Sequence, residues 1–165
     1  MDLRQKNRCT KFVGAITVEI LRKEFIKLGL NPSNRDVFIE DVPNELDLLI
    51  TKHGIIPEEN LIYRPDDVLV VLEVKFRGSY GSSSIADIKN VFDSIRGINQ
   101  KIDCLYVSVS ENRHYKYRAT LSILGYDCYE LLTRDTNLES ELEKNRISPT
   151  GDWLKLAERL LSLPC

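Results

Sequence analysis

Apolar and polar positions along this chain fall into blocks of two kinds, one recurring at helical spacing and one alternating or continuous as in strands. The most apolar run, VLVVLEVKF (68–76), reads as a strand buried in the middle of a sheet. Upstream, residues 11–28 (KFVGAITVEILRKEFIKL) place Phe12, Ile16, Ile20, Phe25 and Leu28 near one helical stripe, and Gly29 with Pro32 supplies the stop. DVFIE (36–40) and ELDLLIT (45–51) read as short strands joined by a turn containing Pro43. Past the apolar run, GSYGSSS (78–84) is a connection, and Ser84-x-x-Asp87 has the spacing of a capping box opening a helix to about Gln100. CLYVSVS (104–110) and YDCYELL (126–132) are further strands, with helices expected over 113–124 and 151–163.

The resulting order, α-β-β-β-α-β-α-β-α, predicts an α/β fold with a central mixed sheet and helices on both faces. No domain boundary is visible. One domain is expected over 1–165, with a core over about 10–132 and a C-terminal helical extension over 133–165. The stretch 133–150 is linker-like, and Trp153 with the leucines around it is expected to complete the core.

Composition narrows the class. With 42% hydrophobic and 29% charged residues among 165, the chain is too apolar for disorder and too charged for a membrane protein. No apolar stretch approaches the ~18 residues of a spanning helix, and MDLRQKNRCTKF lacks the apolar core of a signal peptide, so a cytoplasmic location is expected. The cysteines, at 9, 104, 128 and 165, show neither CxxC pairing nor zinc spacing. Cys104 and Cys128 lie in apolar strands and read as buried free thiols. The net charge of −2 hides an uneven distribution: basic residues lead over 1–30 and 68–126, acidic ones over 31–67 and 127–165. Two basic blocks can form one face on folding or remain ordinary solvated surface.

Glu73 and Lys75, near the end of the apolar run, carry the candidate chemistry. Alternation along a strand puts Asp67, Leu69, Val71, Glu73 and Lys75 on one side. Burying a carboxylate and an ammonium costs several kcal/mol each, which mutual attraction only partly returns. Either the strand has ended there and both groups are solvated, or they line a cleft or a metal site. A second carboxylate, Asp47 in ELDLLIT, can sit beside Glu73 if the two strands are neighbours. Two carboxylates on adjacent strands suit a hard cation such as Mg²⁺, whose remaining positions go to water and phosphate oxygens. Lys75 would then serve a water molecule, a set that suits phosphodiester hydrolysis.

Asp47, followed by Glu73-Val74-Lys75 and embedded in α-β-β-β-α-β order, resembles the PD-(D/E)XK nuclease superfamily, the restriction-endonuclease-like fold. The resemblance covers about residues 10–110. It implies a Mg²⁺-dependent nuclease (Mn²⁺ as substitute) acting on nucleic acid, with DNA as the expected partner. It assigns the metal to Asp47, Glu73 and the main-chain carbonyl of Val74, and the attacking water to Lys75. Some members add an acidic residue from the first helix, for which Glu19 is the candidate. Leu46 stands where the superfamily's motif has proline. The actual Pro65-Asp66 pair lies at the start of the Glu73 strand, roughly 20 Å from Glu73 at ~3.3 Å per residue, too far to share a metal. Cutting both strands with two such sites would call for a homodimer, although no seam is visible. The alternative is a nuclease-like domain that binds nucleic acid or a protein partner without cutting.

Further basic residues are candidates for phosphate contact: Arg77 just past the strand, Lys89 and Arg96 on the following helix, and Arg113 and Lys116 in ENRHYKYR (111–118), where basic and aromatic residues interleave. The alternative is a solvated face for Arg77, Lys89 and Arg96, and for 111–118 a plain amphipathic helix that begins with solvated side chains. His53 and His114 have no local partner that would mark a triad or a zinc site.

Overall fold

The computed structural model describes residues 3–77, 82–110, 116–134 and 147–163. Its elements are α1 (Leu3–Lys27), β1 (Asn31–Pro32), β2 (Phe38–Ile39), β3 (Leu48–Thr51), β4 (Ile62–Tyr63), β5 (Val68–Arg77), α2 (Ser82–Ile98), β6 (Asp103–Ser110), α3 (Lys116–Ile123), β7 (Asp127–Arg134), β8 (Ile147–Pro149) and α4 (Gly151–Leu161). Six strands form one sheet in the order β1-β3-β5-β6-β7-β8. β1, β3 and β5 pair antiparallel, β5, β6 and β7 parallel, and β8 closes the far edge antiparallel to β7.

Alternation along the strands sorts the core into two clusters, one on each face. Leu48, Ile50, Val70, Leu72, Val74, Leu105 and Val107 meet Val18, Leu21 and Phe25 of α1 and Leu156 and Leu160 of α4. On the other face, Leu49, Val71, Cys104, Tyr106 and Cys128 meet Ile88, Phe92 and Ile95 of α2 and Leu121 of α3. A mixed sheet covered by helices on both faces is the architecture that the element order predicted. Helices α1 and α3 end alike. Gly29 (φ +82°) and Gly125 (φ +79°) take the left-handed conformation that closes a Schellman motif, with Leu30 N–H on Phe25 O at 3.0 Å and Tyr126 N–H on Leu121 O at 2.9 Å. Among the described residues no helix is long and apolar enough to cross a membrane.

Several expectations are corrected. The α1 stripe of Phe12, Ile16 and Ile20 faces solvent at 67, 44 and 55% exposure, while Thr17, Val18, Leu21 and Phe25 are buried. DVFIE does not enter the main sheet. Its Phe38–Ile39 pairs parallel with β4 in a separate two-stranded sheet, and the two residues of β1 take the edge beside β3. Asp67 belongs to a single 3-10 turn (Pro65–Asp67), and a register shift opposite Ile50/Thr51 interrupts the alternation. Leu69 consequently packs with the α1 face rather than beside Val71. Ser84 lies inside α2, not at its cap. The stretch 133–150 contributes β8, and Trp153 stacks on Phe25 with ring centroids 6.2 Å apart. Cys104 and Cys128 are free and buried, and burial pushes the Cys104 thiol up to about 12.

Candidate active site

β3 and β5 run antiparallel with Leu48 opposite Leu72, so one step further Asp47 comes opposite Glu73. Asp47 precedes β3 rather than lying in it, and its side chain takes over from the ladder: Oδ2 accepts the Val74 N–H at 2.8 Å. Lys75 Nζ lies 3.3 Å from the same Oδ2 and 2.5 Å from Glu73 Oε1. Three side chains thus converge, with 28, 19 and 37% of Asp47, Glu73 and Lys75 exposed. They face the α2 side of the sheet, since Val71 two residues earlier packs with α2. They also sit toward the carboxyl end of β5, where parallel strands present ligand sites.

Burial and charge act against one another here. Burial, followed by the Asp47 carboxylate, raises the Glu73 carboxyl above its ordinary value, and Lys75 only partly offsets this. For Lys75, burial works against the charge, yet Glu73 and Asp47 outweigh it and hold the ammonium protonated well above the usual lysine range. The ammonium occupies the place where a cation would be welcome. Carboxylate oxygens that both reach one Nζ lie close enough for a cation with ligands at ~2.1 Å to collect both by small side-chain rotations. A strand residue points its N–H and C=O at the same neighbour, so the Val74 carbonyl faces the Asp47 side as well. The donor set is therefore all oxygen, which fits Mg²⁺ and Mn²⁺. Among the described residues no group of three or more His, Cys, Asp or Glu is placed to hold a metal ion.

The other candidate residues are dispersed. Glu19 pairs with Arg22 at 3.5 Å and Lys23 at 3.8 Å, on a helix that packs against the opposite face of β5. Lys89 pairs with Asp93. Arg96 lies over the Tyr126 ring, 4.3 Å from its centroid, and donates to Gly125 O at 3.2 Å. That contact is near Cys104, at the amino end of β6 and away from the trio. Asp66 accepts from Asn99 Nδ2 at 3.2 Å. The side chains of Arg77 and Lys116, and Arg113 and His114 entirely, lie outside the described residues, as do 78–81; His53 is exposed. Sequence reasoning missed Ser108 and Glu130. Register puts Ser108 beside Lys75 and Glu130 beside Ser108, a lateral row that only strand pairing reveals.

No protein-family model matches the chain, and no curated protein is similar to it in sequence. Among solved structures it is similar to a repair endonuclease from Pyrococcus abyssi, with a TM-score of 0.48 and 16% identity. That match covers 70% of this chain and 46% of the other, so this chain spans less than half of that protein's length. It is also similar to NucC of P. aeruginosa ATCC27853 in its cAAA-bound form, with a TM-score of 0.45, 10% identity, and 98 and 91% of the two chains covered. NucC of E. coli MS115-1 in its apo form gives a TM-score of 0.48 and 11% identity over 99 and 93%.

Proposed function

We propose that this protein is a Mg²⁺-dependent nuclease that hydrolyses phosphodiester bonds in DNA. The observation that carries this reading is the convergence of Asp47 and Glu73 on one ammonium at the carboxyl end of β5. A divalent cation bound by Asp47, Glu73 and the Val74 carbonyl would supply charge stabilisation for the phosphate under attack. Lys75 then changes character. Its proton is held by Glu73 and Asp47. Once those carboxylates serve a cation, burial remains as the influence favouring the neutral amine. A neutral Lys75 accepts a proton from the attacking water, and the same position orients that water beforehand.

A second reading, a domain that binds without cutting, has one observation in its favour: Lys75 already pairs with both carboxylates, as in an ion-pair cluster. Cleavage of supercoiled and linear DNA with and without Mg²⁺ separates the two. Wild-type cutting should require the metal, Lys75→Ala should lose about 10²–10⁴-fold in rate, and Glu73→Ala should abolish cutting. Cutting that survives chelation, or persists in Glu73→Ala, overturns the proposal. DNA binding by the wild type with no cutting on any substrate supports the second reading.

A further inference from the structure

Among the described residues Lys75 is the cation paired with both candidate metal ligands. Its Nζ lies 2.5 Å from Glu73 Oε1 and 3.3 Å from Asp47 Oδ2. A divalent ion bound ~2.1 Å from that Oε1 would stand no more than about 4.6 Å from the ammonium. At this separation the two like charges repel strongly, because a half-buried site screens them poorly. Lys75, where it now stands, and the metal therefore exclude one another.

Of the two partners in that contact, the lysine is the one able to yield. Its backbone is fixed in the ladder opposite Ser108 of β6, whereas its side chain is 37% exposed and the four-carbon stem can swing into solvent. The carboxylates are held more firmly. Asp47 Oδ2 also accepts the Val74 N–H at 2.8 Å, and Glu73 is the most buried of the three at 19% exposure. Without a counter-charge these two half-buried carboxylates would repel one another, so the metal-free fold is stabilised by Lys75 in its present place. The ligands thus stay put while the cation on them is exchangeable.

We propose that Lys75 is a tethered counter-cation: it holds the metal-free carboxylates together, must leave them before a divalent ion binds, and so lowers the affinity of the site for that ion. This inference rests on the metal site of the nuclease reading above and adds a control on its loading. The test is calorimetric titration of the metal-free protein with Mn²⁺ at one mildly alkaline pH, for the wild type, Lys75→Met, Lys75→Gln, Lys75→Arg and Glu73→Gln. The neutral variants Lys75→Met and Lys75→Gln should bind Mn²⁺ at least about 10-fold more tightly than the wild type, since one positive charge leaves the surroundings of the dication. Lys75→Arg keeps the charge and should bind no more tightly than the wild type, and Glu73→Gln should lose the ion. A glutamine amide still donates to a carboxylate, so Lys75→Gln carries the comparison if Lys75→Met does not fold without metal. Neutral variants that gain no affinity, or a Lys75→Arg that binds as tightly as they do, overturn this inference. If the wild type nonetheless cuts DNA in Mg²⁺, the nuclease reading stands without it. Neutral variants that gain affinity beside a wild type that cuts no DNA keep Lys75 as the counter-cation and overturn the nuclease reading instead. A wild type that does not cut, with neutral variants that bind no Mn²⁺, overturns both.

Discussion

At the scale of single residues, the site is a conflict that a metal would resolve. Glu73 is buried beside a second carboxylate, and its carboxyl is raised above the ordinary value of 4.5. The protonated form is therefore favoured by the fold. Its contribution to stability is complete below pH 4.5 and is lost as pH rises through the folded value. Above its folded value an ionised Glu73 costs the metal-free protein stability, a cost that Glu73→Gln removes. In EDTA, the Tm of the variant should gain on the wild type as pH rises from 4.5 to neutrality. Excess Mg²⁺ at neutral pH should then stabilise the wild type alone, because a cation held by both carboxylates would bind only the folded trio. A Tm difference that stays flat with pH, followed by thermal unfolding in a pH series, would remove Glu73 as the strained group. The trio was legible in the sequence because an apolar strand of period two fixes where its charges point, and Asp47 directly precedes the neighbouring strand. The ion pair of Arg118 with Asp152 was not legible: it is brought together by the docking of two helices, which no local pattern encodes.

Elements were legible where they are long and missed where they are short or two-sided. β5, α2, β6, β7 and α4 stand close to their expected positions. β1 has two residues, fewer than any periodicity can register, and β2 finds its partner in β4 rather than in β3. Helix α1 has apolar residues on both sides, so periodicity named a stripe of Phe12, Ile16, Ile20, Phe25 and Leu28, of which the sheet took Phe25 and Leu28 and added Val18 and Leu21. The chain's punctuation was more reliable than its stripes, as the end of α1 shows. Gly29 takes φ +82°, and a Cβ at this position would meet nothing within 4 Å, so Gly29→Ala suffers the left-handed backbone alone, about 1 kcal/mol. Gly14 sits inside α1 in equally open space, and Gly14→Ala should stabilise by a similar ~1 kcal/mol through helix propensity. Opposite Tm shifts of about 2–4 °C are expected for a chain of this size. Shifts of the same sign would show that the α1 terminus is not held by its Schellman motif.

Across the whole molecule, the parallel strands separate chemistry from stability. Their carboxyl ends carry the trio, while the amino ends of β6 and β7 are gripped by Arg159 near the end of α4. Its Nε and Nη2 donate to Asp103 at 2.8 and 2.9 Å, and its Nη1 bonds Asp127 and reaches the Tyr129 hydroxyl at 3.3 Å. One planar fork therefore joins the first residues of two strands to the helix that covers them, the geometry at which arginine surpasses lysine. The pairs are partly exposed, which limits their worth to about 1–3 kcal/mol in total. Because this clamp acts at the opposite end of the sheet from Glu73 and Lys75, its loss should loosen the fold without reshaping the site. Arg159→Met is expected to lower the Tm by several degrees. At a temperature where both proteins remain folded, it should cut DNA at the wild-type rate in Mg²⁺. Lys75→Ala should show the reverse ranking, with cutting lost far more completely than stability. If Arg159→Met instead loses cutting while its Tm and its circular dichroism stay native, the two ends of the sheet are coupled, and the geometry of the trio depends on a clamp at the amino ends of the neighbouring strands.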